Sequence, residues 1–577
     1  MKFLCVLCVL CGLGSSALAI DREAFTFTKY DLEIRLEPEQ QRLGARGKVS
    51  LRNDSSQPQK IAVLQISSSL AWRSIKADGK AVQYVTQPYV SDIDHTAALS
   101  EAIVTLPTEI KPKDSVELEI GYEGTIVQDA TRLTQIGVPE DIAKHSSWDQ
   151  ISPSFTAVRG AGYVAWYPIA TESADFSEGN SMFQVADRWK TREAESAMTI
   201  NLCSSENSSP AQSNLMGDAV HGARGGSMGG TDHSPTHVNC IQHSFESFGS
   251  VTPTFVLANF KLATADPSSV ISIYFLSGHE SGAATYSDAI EPTTKFVTEW
   301  FGRTTGAVTI ADLSDPNASP FESGTLLLTS MAREDTKMAE INLVHELVHA
   351  AFTSPRPWVQ EGLAHFAEAM YREQKQDGRE AALDFLNLHR TAFVEAEKDI
   401  ATAPQKNQGQ PLATTFDESY YRSKAAYVWW MLCDMIGEDA LKQAIHNYRA
   451  ADDKDPKYVE QRIAAVTKRD LSWFFDDWVY RDRGLPDFRV LAAHRWKGTK
   501  ETQLLTVTIE NLGGAGAEVP FTIRFAGGEI TRRIEVRAKS TATTRVEVPG
   551  TAAEVVVNDG SVPETDLTNN VFKITEP

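Results

Sequence analysis

Beyond residue 20 the chain has no apolar run of the ~20 residues that a bilayer span requires, so no membrane span is expected. A basic surplus is equally missing. Lys and Arg number 55 against 76 Asp and Glu, a formal net charge of −21. Phosphate recognition needs a basic face, so no nucleic-acid partner is expected. Cysteine is scarce, six residues in 577, and Cys5, Cys8 and Cys11 fall within the first eleven positions. That excludes a dense disulfide framework. No internal repeat is visible, so the chain is not a repeat array.

What is present describes an ordinary globular protein, with 42% hydrophobic and 23% charged residues. A chain of 577 residues exceeds what one hydrophobic core holds, and roughly two to four domains are expected. Residues 1–19 have the form of a secretory signal: Lys2, an apolar stretch from Phe3 to Leu13, and the small-residue site Ala17-Leu18-Ala19. A secreted or periplasmic location follows as an expectation. Leu4, Leu7 and Leu10 stand immediately before the cysteines where a lipoprotein signal would carry a small residue, which argues against a lipid anchor. Removing that segment leaves Cys203, Cys240 and Cys433. Cys433 closes the apolar run Val428-Trp429-Trp430-Met431-Leu432-Cys433 and reads as a buried free thiol. A Cys203–Cys240 disulfide suits an oxidising compartment, although spacing alone leaves the pairing open.

Hydrophobic periodicity divides the chain. Leu32, Ile34 and Leu36 alternate with charged residues, as do Val116, Leu118, Ile120 and Tyr122, and such runs mark half-buried strands. The pattern continues to about Lys261, interrupted by a Gly- and Ser-rich segment from Ser204 to Pro235. A mixed stretch follows, with a strand at Val270–Phe275 and a helix from Ala289 to Phe301. From Thr336 to about Arg481 helical spacing dominates, with helix starts near Pro357, Asp377, Tyr420, Glu438 and Asp455. After Gly484-Leu485-Pro486 short alternating strands return. The expected fold is multidomain α+β: an N-terminal β domain (20–262), a mixed and largely helical domain (263–485) and a C-terminal β-sandwich (486–577).

The chemistry concentrates in Val344-His345-Glu346-Leu347-Val348-His349. Residues four apart share one helix face, so His345 and His349 can reach one ion. Zinc accepts imidazole nitrogen, and a catalytic site keeps three protein ligands with one position for water. Glu346 would flank that water as a base rather than bind the metal. The third ligand is Glu361, in Pro357-Trp358-Val359-Gln360-Glu361-Gly362, because Pro357 suits a helix start after a short connection. Glu368, two turns further on, can accept the free ring N–H of a liganding histidine. His365 shares that face and reads as a satisfied helix histidine. His233, His237, Cys240 and His243 have metal-like spacing, but they straddle a loop and a strand. Asn53, Asn207 and Asn317 begin Asn-x-Ser sequons.

The two histidines, the glutamate between them and the later Trp-x-x-Glu-Gly resemble the gluzincin metallopeptidases, the clan of thermolysin and the aminopeptidase N family. Asp114 to Gly124, Trp166-Tyr167-Pro168 and Glu299-Trp300-Phe301-Gly302 are similar to stretches of the aminopeptidase N relatives. The resemblance implies a thermolysin-like catalytic domain, one zinc ion per chain, a peptide or protein substrate and peptide-bond hydrolysis. Two departures stand out. Eighteen residues separate the second histidine from the glutamate in the aminopeptidase N family, and eleven do so here. The family's Gly-Ala-Met-Glu-Asn motif has no clean copy. Its nearest counterpart, Ser319 to Leu326, offers Glu322 as the anchor for a substrate amine. The family also stabilises the oxyanion with a tyrosine. Ser419-Tyr420-Tyr421-Arg422-Ser423-Lys424 resembles that region, and although the family spacing falls on Arg422, hydroxyl chemistry favours Tyr421, with Tyr420 beside it. Aminopeptidase action is slightly favoured over endopeptidase action. The rival of another class is a non-catalytic extracellular binding protein on the same scaffold.

Overall fold

The computed structural model describes residues 20–178, 181–205, 213–217, 238–249, 251–263, 270–304, 306–333, 335–402, 411–496 and 503–574. The expected signal, residues 1–19, lies outside them, as do Asn207, His233 and His237.

Period-two alternation builds the N-terminal domain as expected. Tyr30, Leu32, Ile34 and Leu36 are buried while Asp31 and Arg35 face solvent, so the strand Phe25–Glu37 has one wet side. It pairs antiparallel with Arg42–Asn53 and parallel with Ala197–Ser205, at the centre of a seven-stranded sheet. A three-stranded sheet of Gln59–Ser67, Ala98–Ile110 and Gln83–Val90 packs on it, and the two share one core from Ala24 to Leu257. Cys203 and Cys240 are direct cross-strand partners and form a disulfide. Cys240 is therefore unavailable to the metal-like cluster around it. Asn53 is buried, and its Nδ2 donates to Gln57 O (2.9 Å) and Ile110 O (2.8 Å), so that sequon is enclosed. Asn317 lies on a surface turn, where its Oδ1 accepts from Arg333 at 2.6 Å.

Three helices depart from the expected run of strands among the described residues, two of them short, Thr131–Thr134 and Glu140–Ser146. The third, helix α1 (Ser181–Glu193), places Met182, Val185 and Trp189 on one buried face at helical spacing.

The central domain holds a five-stranded sheet in the order Lys261–Leu262, Ile271–Phe275, Val308–Asp312, Leu326–Thr329, Phe321–Ser323. Its three middle strands are parallel, and the edge strand Phe321–Ser323 runs antiparallel to its neighbour. Helix α2 (Glu280–Phe301) makes the first crossover and begins well before Ala289. The buried positions Ala283, Tyr286, Ala289, Phe296 and Trp300 keep one helical face across Pro292. Helix α3 (Thr336–Ala351) starts on Asp335, whose carboxylate accepts from the Met338 N–H at 3.1 Å. Helix α4 (Pro357–Lys375) starts at Pro357, which needs no N–H there. Helices α5 (Arg379–Thr402) and α6 (Ala425–Ile436) follow, α6 preceded by a π turn at Ser419–Lys424.

The C-terminal strands form two facing sheets, of three and four strands. Leu505, Val507 and Ile509 meet Val519, Phe521 and Ile523 between them, all buried. This sandwich shares a continuous apolar core with the central helices, and Trp478 Nε1 donates to Gly516 O at 2.7 Å across the junction.

Helices α4 and α6 meet most closely beside the expected metal ligand Glu361. A Cβ on Gly362 would lie 2.6 Å from Ala425 Cβ and 3.0 Å from Trp429 Cδ1. Trp429 in turn stacks on Trp358, ring centroids 5.3 Å apart. Only glycine allows this approach. Gly362→Ala is expected to cost about 1–3 kcal/mol by overpacking, read as a lower midpoint in denaturant unfolding. An unchanged midpoint would show that the two helices separate freely.

Candidate metal centre

His345 and His349 on α3 and Glu361 on α4 turn toward one point because of how the chain reverses between the helices. Phe352 is extended and ends α3. The connection is held by the Arg356 guanidinium on Asp453 (2.7 Å) and by the Ser354 N–H donating to Gln360 Oε1 (2.7 Å). His345 and His349 then share a face of α3 and meet Glu361 from the first turns of α4. Exposure is 2% at His345, 6% at His349, 4% at Glu361 and 1% at Glu346.

The donor atoms are spaced for a small cation. His345 Nε2 lies 3.0 Å from His349 Nε2 and 3.8 Å from Glu361 Oε2, and His349 Nε2 lies 3.6 Å from Glu361 Oε1. Bonds of ~2.0–2.2 Å in a tetrahedron separate ligands by about 3.3–3.6 Å, so one zinc-sized ion fits among them. Glu361 Oε2 is buried yet accepts no hydrogen bond among the described residues. Two imidazoles and one carboxylate form a donor set that zinc takes.

The outer partners orient these ligands. His345 Nδ1 donates to Glu368 Oε1 at 2.8 Å, leaving Nε2 to face the other donors. His365 Nδ1 donates to the same oxygen at 3.0 Å, so Glu368 binds the two rings together. The Gln360 side-chain amide meets His349 Nδ1 at 2.7 Å, a contact that sequence reasoning missed although Gln360 immediately precedes Glu361.

Burial and crowding set the charges. Burial disfavours a charge on His345, but Glu322, Glu368 and Glu361 outweigh it and hold its pKa up to about 10. Burial takes His349 down to about 4, with Glu361 opposing and His345 adding to the drop. Burial resists ionisation of Glu322, Glu361 and Glu368, yet the neighbouring imidazoles and Arg422 hold the first two low, and His345 and His365 hold the third well below the usual range. Proton and divalent cation would compete for the same Nε2 of His345.

Glu322, from the edge strand, does reach this centre, with Oε2 3.1 Å from His345 Nε2. The Arg422 guanidinium pairs with its other oxygen at 2.5 Å and stands 3.6 Å from Glu361 Oε2. Tyr421 interacts through space with Glu361 and Arg422 but hydrogen-bonds on its other side. Its hydroxyl accepts from Lys190 Nζ at 3.4 Å, on α1, and no hydrogen bond joins it to the two histidines or Glu361 among the described residues. Tyr420 is buried beside Lys424. Arg422, where the family spacing falls, pairs with Glu322 at the centre, while the Tyr421 hydroxyl is bonded to Lys190. A cavity of about 390 Å³ opens from His349, Glu361, Glu322 and Arg422 toward the N-terminal domain. No helix among the described residues is long and apolar enough to cross a membrane.

No family model and no curated protein sequence matches the chain. Among solved structures it is similar to Legionella pneumophila aminopeptidase A in complex with aspartic acid, at 12% identity and a TM-score of 0.56, covering 94% of this chain and 59% of that one. It is also similar to an M1 zinc metallopeptidase from Deinococcus radiodurans, at 15% identity and a TM-score of 0.45, covering 80% of this chain and 96% of that one. At such identities the likeness is one of fold, and the chain has the multidomain α+β fold of the aminopeptidase.

Proposed function

We propose that the chain is an extracytoplasmic zinc metallopeptidase that removes N-terminal residues from peptides. The observation that carries this is the set of three buried donors at tetrahedral spacing, opening onto a cavity that also holds Glu322. His345, His349 and Glu361 would hold the ion, with Glu368 and Gln360 fixing the rings. Bound there, zinc would supply Lewis-acid polarisation of the scissile carbonyl and acidify the attacking water. Glu346 takes the proton from that water and passes it to the leaving amine. The Arg422 guanidinium, next to Glu361, donates to the developing oxyanion, with Tyr421 as the alternative donor. Glu322 anchors the free amine. Its strand, Phe321–Ser323, ends the sheet and has a partner on one side only among the described residues, so an extended peptide can add along the other.

One contact favours endopeptidase action as a second reading. Glu322 is already paired with Arg422, which leaves its charge partly compensated before any amine arrives.

Three outcomes are expected. Glu368→Ala should weaken zinc binding about 10- to 100-fold in a chelator competition, because both rings lose their acceptor; an unchanged affinity removes its orienting role. Glu346→Gln should keep stoichiometric zinc by metal analysis and lose about 10²–10⁴-fold in kcat. Turnover equal to the parent would remove Glu346 from proton transfer, and full zinc with no hydrolysis by the parent would indicate a binding protein. Acetylating the N-terminus of a cleaved peptide should abolish its hydrolysis, and Glu322→Ala should raise KM for the free peptide. Equal cleavage of both forms, indifferent to Glu322, establishes the endopeptidase.

A further inference from the structure

The cavity that opens from the metal ligands is also lined by a buried cation that forms no ion pair among the described residues. Arg132 is 4% exposed and lines the same space as His349, Glu361 and Glu322. Its Nη1 donates to two main-chain carbonyls, Gly162 O (2.6 Å) and Asp92 O (3.2 Å). Its Nε is buried without a hydrogen-bond partner, and no carboxylate lies within 4.0 Å of the guanidinium among the described residues. The nearby Asp92 carboxylate is taken up by Gln135 Nε2 (2.7 Å) and the Phe176 N–H (2.8 Å).

A neighbour shows what a purely structural buried arginine looks like in this fold. Arg159 is equally enclosed, but it bonds the Asp149 carboxylate through Nε and Nη2, at 3.2 and 2.6 Å, and lies between the rings of Trp148 and Tyr163, 3.8 and 3.9 Å from their centroids. The other cavity cations are likewise paired, Lys190 with Glu418 (2.8 Å) and Arg422 with Glu322. Arg132 has only the distant faces of Tyr163 and Phe176, at 5.5 and 5.8 Å. Burial lowers its pKa and the charge of Arg159 lowers it further, opposed through space by Tyr163, Asp149 and Asp94, but a guanidinium stays protonated. A fixed positive charge remains, with donors unspent, in a pocket that excludes much of the water that would otherwise solvate it.

We propose that Arg132 is a substrate-recognition residue that receives a carboxylate of the bound peptide. A guanidinium offers donors in a planar fork matched to that group. The proposal rests on the reading of the cavity as a peptide-binding site and adds to it the class of peptide preferred. The carboxylate can come from an acidic side chain at the peptide's N-terminal residue or from the free C-terminus of a short peptide.

The test uses matched pairs. Glu-p-nitroanilide against Gln-p-nitroanilide isolates the side chain, since neither has a free C-terminus. Ala-Ala-Ala against its C-terminal amide isolates the terminus. In the parent, one of the two pairs should show a carboxylate preference in kcat/KM of about 10- to 100-fold, the scale of a charge-assisted hydrogen bond. Arg132→Gln should collapse that ratio toward one. A structural role would lower both members of a pair together and leave the ratio intact, which overturns the proposal. Absence of preference in both pairs for the parent overturns it too, whatever the variant does. Should Arg132→Gln fail to fold, Arg132→Lys keeps the charge without the fork and should reduce the same ratio. Titration calorimetry of Glu-Ala-Ala, Gln-Ala-Ala and the alanine pair on zinc-loaded Glu346→Gln reads the preference without turnover. A preference found there, together with a zinc-loaded parent that cleaves no peptide, would uphold Arg132 while removing the peptidase reading.

Discussion

Glu322, Glu361 and Glu368 are brought into one buried space, and their mutual repulsion is the constraint around which the site is arranged. Carboxylates so placed persist only if cations and donors hold them apart. His345 answers all three, Arg422 answers Glu322 and Glu361, and Glu368 is divided between two imidazoles. A divalent ion among the two Nε2 atoms and Glu361 would complete the compensation, which is why the cluster reads as a metal centre rather than as a salt-bridge network.

Holding those groups in place requires rigid helices at short range, and the packing supplies them. Gly362 lets α4 lie against α6 at the position next to Glu361, and the stacked Trp358 and Trp429 close that contact. The N-terminal domain also takes part. Helix α1 donates Lys190 to Glu418, and its Asp187 carboxylate accepts the Phe416 N–H, so the segment that presents Arg422 is clamped from the far side of the cavity. The β domain thus forms one wall of the site.

Legibility in the sequence followed how local the determinant was. His345, Glu346 and His349 are set by helix spacing alone, and Glu361 by a short connection ending in Pro357, so both could be read directly. The strands of the two β domains announced themselves by alternation. Helix α1 escaped because thirteen helical residues sit between strands, although Met182, Val185 and Trp189 carried the period. Tyr421 was chosen for its hydroxyl, but the π turn at 419–424 presents Arg422 to the centre, a difference of one position that spacing already suggested. Arg132 and Gln360 had no signal of their own, since what distinguishes them is the enclosure made by distant segments.

The apolar core that runs from α2 into the C-terminal sandwich has a consequence for how the molecule comes apart. Units of unfolding are bounded by where buried surface is interrupted, not by where architecture changes. Phe475, Trp478, Leu485 and Phe488 lie within that one cluster, on both sides of the turn at Gly484, whereas the N-terminal sandwich keeps a separate core. The helical domain and the C-terminal sandwich therefore melt as a single cooperative block. Removing the last ninety or so residues would leave Trp478 without the Gly516 carbonyl and strip one side from α6, which packs on the helix that carries Glu361. A third, smaller cluster, from Trp148 and Phe155 to Phe321 and Leu328, ties the N-terminal domain to the central sheet, and the sandwich at the C-terminus belongs to the same apolar core as the helices of the candidate metal centre.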